Sequence, residues 1–153
     1  MALQFFSKNS SFRIKSKISI KKWIELAVKK EKRSVGEITY IFCSDKYLLE
    51  INKKYLKHNY FTDIITFQYY PKVSSLKSQI SNLIFGDIFI SIDRVKVNAK
   101  DYDVPFDHEL KRVMIHGILH LLGYKDKTKS AKGEMTKRED FYLHLLSKKK
   151  SKK

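Results

Sequence analysis

The chain is short of cysteine, of acidic residues and of long apolar runs, and each shortage narrows what it can be. Its one cysteine, Cys43, leaves no partner for an internal disulfide. That fits a reducing compartment and a structural thiol buried in an apolar, alternating stretch. No segment approaches the roughly 18 uncharged apolar residues that a membrane span needs. Residues 1–12 show no basic start followed by an apolar core, so no leader is read there. The chain is therefore expected in the cytoplasm, without a membrane as partner. Acidic residues number 16 against 32 Lys and Arg, a formal net charge of +16 and a pI near 9.8. Such an excess suits a polyanion, nucleic acid first, because every phosphate neutralised by Lys or Arg releases counterions and gives affinity without base contacts. An anionic membrane surface is the weaker alternative. A lysine-rich background, with Lys148 to Lys150, Lys152 and Lys153 as a solvated tail, is the plain one.

What is present is enough for one core. At 153 residues, 42% hydrophobic and 13% aromatic, the chain is the size of one domain and should fold despite 31% charged residues. We expect a single domain over 1–147 and a basic tail over 148–153. Residues 3–6 suit a first strand, and Ile20, Trp23, Ile24, Ala27 and Val28 share one helical face. Gly36 punctuates before a strand over 37–43, where Ile38, Tyr40 and Phe42 alternate with Thr39 and Ile41. Ser44 and Asp45 suit the start of a helix carrying Tyr47, Leu48, Ile51 and Tyr55. Strands follow over 63–69 and 83–91, with Gly86 at a bulge or a close approach and a polar surface loop over 71–82 between them. Asp93 can cap a helix of roughly ten residues. Pro105 suits the first turn of the next, with Phe106, Leu110, Val113, Met114, Gly117 and Leu121 inward. A last helix covers 131–146 with Met135, Phe141 and Leu145 inward. No internal repeat is present. The pattern implies an α+β or mixed three-layer domain.

Residues 116–126 read HGILHLLGYKD within the helical stretch after Pro105. His116 and His120, one turn apart, project from one face and can hold one cation together. Gly123 can take the left-handed conformation that ends a helix, so the chain can turn back and bring the Asp126 carboxylate to the same point. Two nitrogens, one oxygen and an open position are the donor set of a catalytic zinc rather than a closed structural one. The spacing matches the H-E-x-x-H-x-x-G-x-x-H of zinc proteases, except that Gly117 stands where those enzymes place a glutamate base. Hydrolysis here would need water activated by the metal alone, the substrate's own phosphate, or a base from elsewhere such as Glu109. The plain reading of Glu109, favoured over a catalytic one, is a salt bridge to Arg112 or Arg138.

The chain resembles the YbeY family, the metal-dependent endoribonucleases of bacterial ribosomal RNA maturation, whose signature reads H-G-x-L-H-L-x-G-Y-D-H. His116, Gly117, Leu119, His120, Leu121, Gly123 and Tyr124 match it, and the likeness extends over 52–67, Gly86-Asp87-Ile88, Met135 and Glu139. The resemblance implies a compact α+β domain, a mixed sheet of about four strands with about five helices, and a metal site at the end of a helix in the C-terminal half. It also implies one zinc, or another divalent ion, on His116, His120 and Asp126. The implied activity is single-strand-specific cleavage of ribosomal RNA in maturation of the small-subunit 3′ end and in ribosome quality control, with ribosomal subunits or assembly factors as partners.

Three positions, in two places along the chain, depart from the family. Asp126 replaces its third histidine and Lys125 the aspartate before it, which gives a harder, more anionic donor set. Leu56 stands where the family has an arginine facing the cleft, so either Lys54 or Lys57 holds phosphate instead or activity is weaker than the resemblance implies, with His58 nearby and Lys125 as a further RNA contact. A metal-stabilised, non-catalytic assembly factor that binds ribosomal RNA, and a zinc peptidase, remain as alternative readings.

Overall fold

The computed structural model describes residues 2–71 and 81–151, the side chains only as far as Ser147. A four-stranded mixed sheet runs in the order β1-β2-β4-β3. β1 (Ala2–Lys8) pairs in parallel with β2 (Ser34–Cys43), β2 in parallel with β4 (Leu83–Ser91), and β3 (Ile64–Gln68) antiparallel with β4. Among the described residues five α-helices complete a single α+β domain: α1 (Lys17–Lys30), α2 (Asp45–Ile51), α3 (Ile92–Asp101), α4 (Phe106–Leu121) and α5 (Lys129–Ser151). A π turn, Asn52–Leu56, prolongs α2. Among the described residues no helix is long and apolar enough to cross a membrane.

The period-two pattern of β2 sets the layering. Ile38, Tyr40 and Phe42 are buried on one sheet face and join Ile84, Ile88 and Ile90 of β4 in the main core. Trp23, Ile24 and Val28 of α1, with Met114, Ile118 and Leu121 of α4, cover that face. On the opposite face Cys43 and Ile65 pack with Leu48 of α2, and burial pushes the Cys43 thiol up to about 12, as a structural thiol requires. Two buried hydrogen bonds cross between layers: Tyr40 Oη donates to the Met114 carbonyl at 2.9 Å, and Trp23 Nε1 to the Tyr142 carbonyl at 2.8 Å.

Four local expectations change. Gly36 lies inside β2 rather than before it, at the register shift between Val35 and Glu37, with the Phe85 ring in the space a Cβ would occupy. Gly86 is thus a close approach and not the bulge. Ser91 rather than Asp93 caps α3, its hydroxyl accepting from the Arg94 N–H at 3.1 Å. β4 runs straight into α3, so the cap falls on the last strand residue, and Asp93 accepts from the Asp45 N–H at 2.8 Å. Pro105 occupies the cap of α4, one position before its first turn. On α5 Met135, Glu139, Tyr142 and Leu146 are buried and Leu145 packs half-buried against the core as expected, while Phe141 is exposed. Most of the 71–82 connection, expected as a surface loop, lies outside the described residues.

Glycine lets α4 and the sheet meet without an intervening side chain at two places. A Cβ on Gly117 would lie 2.9 Å from both Ile64 Cδ1 and Ile88 Cγ2, and one on Gly86 would lie 2.7 Å from Leu121 Cδ2. Gly117→Ala should therefore lower the unfolding free energy by about 1–3 kcal/mol through overpacking, read as a lower urea midpoint with an unchanged denaturant slope.

Candidate metal centre

The geometry begins at the end of α4. Gly123, with φ of 106°, donates its N–H to the His120 carbonyl at 3.0 Å, and the Tyr124 N–H bonds the Leu119 carbonyl at 3.0 Å. This pair is a Schellman motif, which closes the helix and reverses the chain. Asp126 returns over the histidines. Its Oδ2 lies 3.3 Å from His116 Nε2 and 3.4 Å from His120 Nε2, and the two Nε2 atoms are 3.0 Å apart. The three donors lie within 4.8 Å of one another and could hold a metal ion.

Each imidazole is oriented from behind. The Tyr124 carbonyl, 3.1 Å from His120 Nδ1, can only accept, so Nδ1 carries the proton and Nε2 keeps its lone pair. His116 Nδ1 donates in the same way to the Glu139 carboxylate at 2.6 Å. Burial disfavours a charged His116, but the Glu139 hydrogen bond and the charges of Glu139, Asp126 and Asp63 outweigh it and raise its pKa. Burial and the charge of His116 lower that of His120 against the pull of Asp126. A point that strengthens proton binding at His116 is one of negative potential, which also draws a cation.

Glu139 belongs to a buried chain of charges. Arg112 Nη1 reaches Glu139 Oε1 at 3.2 Å, and the same guanidinium grips Glu109 through Nε at 2.9 Å and Nη2 at 2.5 Å. Glu109 is fully buried and held by both oxygens, so it is the salt-bridge partner of Arg112 and no base for water. Arg138 pairs instead with Glu31 and Glu134. Two buried carboxylates share one guanidinium here, and with Asp126 the balance around the histidines stays negative. The donor types, their rear supports and this charge all fit a divalent cation.

A second clasp holds the loop that carries Asp126. Glu31, just past α1, accepts from Tyr124 Oη at 2.6 Å, from Tyr142 Oη and from Arg138 Nη1 at 3.3 Å. Burial and the Glu31 carboxylate together push the Tyr124 hydroxyl up to about 12, so it stays a neutral donor.

An open cleft of about 410 Å³ faces His116 and Asp126, bounded by Asp63, Arg112, Lys132 and Glu139. Burial raises the Asp63 carboxyl against the opposing charges of His116 and Arg112, and Asn98 Nδ2 donates to its Oδ2 at 3.1 Å. Lys54, Lys57 and Lys125 are exposed and do not line this cleft. Leu56, 41% exposed, stands on the π turn, and His58 stacks on Tyr60 in the exposed loop that follows. Sequence reasoning misses Lys132, and it finds Asp63 and Glu139 only as matched positions. A usable signal exists for Glu139, which continues the helical phase of Met135 and Tyr142.

A family model described as Endoribonuclease YbeY matches residues 4–147. The chain is 46% identical over 141 residues to the Endoribonuclease YbeY of Flavobacterium psychrophilum, covering 92% of this chain and 94% of the relative. It is 46% identical over 140 residues to that of Karelsulcia muelleri, covering 92% and 93%. Among solved structures, the solution structure of TM1509 from Thermotoga maritima superposes with a TM-score of 0.64 at 24% identity, covering 98% of this chain and 92% of that one. That likeness concerns the fold.

Glu139→Ala should weaken divalent metal binding about 10–100-fold in competition with a chromogenic chelator, whereas Glu139→Gln, whose amide oxygen still accepts from Nδ1–H, should lose much less. Replacing His120 and Asp126 together by alanine should abolish stoichiometric binding, and full occupancy of that double variant would put the ion elsewhere.

Proposed function

The chain belongs to the YbeY family of endoribonucleases, and from that premise we propose that it cleaves single-stranded ribosomal RNA with one zinc on His116, His120 and Asp126. The observation that carries this reading is the convergence of those three donors, of which His116 and Asp126 line an open cleft, in a protein of net charge +16. Another divalent ion would satisfy the same oxygen-containing donor set. A divalent cation supplies Lewis acidity at a phosphoryl oxygen and lowers the pKa of a water. The setting is maturation of the small-subunit 3′ end and ribosome quality control, with ribosomal subunits or assembly factors as partners.

The chain's own groups divide the remaining work. His116 and His120 hold their Nε2 lone pairs toward one point because Glu139 and the Tyr124 carbonyl fix both Nδ1 protons. Lys132 brings an ammonium to the cleft wall, where it can hold a phosphate in place of the arginine that Leu56 does not provide. Asp63 is the carboxyl on that wall left without an arginine or histidine hydrogen bond among the described residues, and we assign it proton transfer from the attacking water. Gly117 cannot give way to a protease-type glutamate, since Ile64 and Ile88 occupy the space next to it. That steric fact weighs against the peptidase reading. The exposed Leu56 is the one observation favouring a non-catalytic, metal-stabilised assembly factor.

On a single-stranded ribosomal RNA fragment, the wild type should cleave, chelator should stop it, and added zinc should restore it. His116→Ala should be inactive, and cleavage persisting in that variant would point to another site. Asp63→Asn should reduce the rate by roughly two orders of magnitude while leaving metal affinity intact. Wild-type RNA binding with no cleavage under any metal would support the assembly-factor reading.

A further inference from the structure

Residues 53–61 are exposed without interruption, yet the backbone there is held at several points. The His58 N–H bonds the Asn52 carbonyl at 3.2 Å, and the buried Asn52 side chain donates to the Tyr60 carbonyl at 2.9 Å. Two residues past Phe61, the Asp63 carbonyl accepts from the Ser91 N–H at 2.9 Å. A segment fixed in this way nevertheless presents Tyr55, Tyr60 and Phe61 at 56%, 56% and 51% exposure. Large rings displayed together on a fixed scaffold mark a contact surface.

The company of these rings indicates what the contact is. The Lys54 ammonium lies 5.3 Å from the Tyr55 centroid, and the Arg94 guanidinium 5.2 Å from that of Phe61. The His58 ring stacks on Tyr60 with centroids 5.1 Å apart and planes 20° from parallel. Tyr55 is braced edge-on by Phe67 at 5.7 Å. Each ring is thus backed on one side by a cation, an imidazole or another ring while about half of it faces solvent. Lys53 and Lys54 lead into Tyr55, and Lys57 lies between Tyr55 and Tyr60. Flat π faces alternating with positive charge match a strand that alternates bases with phosphates.

We propose that Tyr55, Tyr60 and Phe61 form a stacking platform for unpaired bases of the RNA strand whose phosphodiester lies in the cleft, entering beside Asp63. The platform rests on the RNA-cleaving reading above and supplies a physical source for strand selectivity. Bases within a duplex already have both faces covered by their neighbours and have none to offer the rings. The platform adjoins the cleft through the chain itself, since Phe61 is followed after one residue by the cleft-wall Asp63, and Arg94 and Asn98 of α3 contact the two in turn.

The test compares two probes, a short single-stranded oligoribonucleotide carrying 2-aminopurine and an abasic ribose-phosphate strand of equal length, with chelator present so that neither is consumed. Tyr55→Ala, Tyr60→Ala and Phe61→Ala should each weaken binding of the base-bearing strand roughly tenfold and leave the abasic strand within about twofold. Tyr55→Phe should bind like the wild type, and 2-aminopurine fluorescence should be quenched by the wild type but not by the triple alanine variant. Leucine, which has bulk but no π face, takes the place of alanine at any position where alanine lowers the unfolding midpoint. Alanine variants that weaken both strands alike, or neither, overturn the platform and leave the surface to a protein partner. If the wild type cleaves RNA while the variants bind normally, the platform alone falls. If the wild type binds neither strand, the RNA reading falls with it.

Discussion

The site depends first on how closely α4 can lie on the sheet. Gly117 faces Ile64 and Ile88 where any side chain would collide, and Gly86 makes room for Leu121 near the end of the same helix. Contact at both places fixes the depth and rotation of α4, and His116 and His120 inherit their direction from it. A helix held further out by a single methyl group would move the histidines relative to Asp63, just before β3, and Glu139 on α5, which do not move with it. The position that in a protease carries the base is here used for packing, so this fold obtains a precise histidine pair and gives up a general base one residue away.

Around that contact the polar groups work by mutual restraint. Arg112 satisfies two buried carboxylates, and one of those carboxylates aligns His116. Glu31 draws together α1, the loop bearing Tyr124 and the α5 hydroxyl of Tyr142. Charges this deep are costly unless every oxygen is paired. Their geometry is correspondingly narrow, which suits a centre whose donor atoms must meet at one point.

Much of this is legible in the order of the residues alone. The alternation of Ile38, Tyr40 and Phe42 marks the core face of β2, and the bounds of β4 follow directly from its apolar run. The spacing of His116, His120, Gly123 and Asp126 contains the turn that brings the three side chains together, because a left-handed glycine after a helix has few other uses. Other features are hidden for definite reasons. An apolar stripe on α5 suggests Phe141, because the true inner face passes through the charged Glu139, which patterning rules place outside. Ser91 reads as the end of a strand, although it also begins a helix. Asp63 and Lys132 belong to the cleft only because β3 and α5 meet across α4, and no local pattern encodes that meeting. Leu56 and its lysine neighbours resemble a cleft wall in one dimension, whereas the π turn and the left-handed Lys57 carry them onto an outer surface.

The Glu31 clasp bears on when the centre comes into existence during synthesis. Its partners lie 93 to 111 residues further along the chain, and the carboxylate that aligns His116 is on the last helix. A nascent chain that has released α4 but still holds α5 in the ribosomal tunnel has both histidines and the Glu31–Tyr124 contact, but not the Glu139 carboxylate that aligns His116. The order of emergence therefore places the groups that restrain His116 and complete the Glu31 clasp after the histidines themselves.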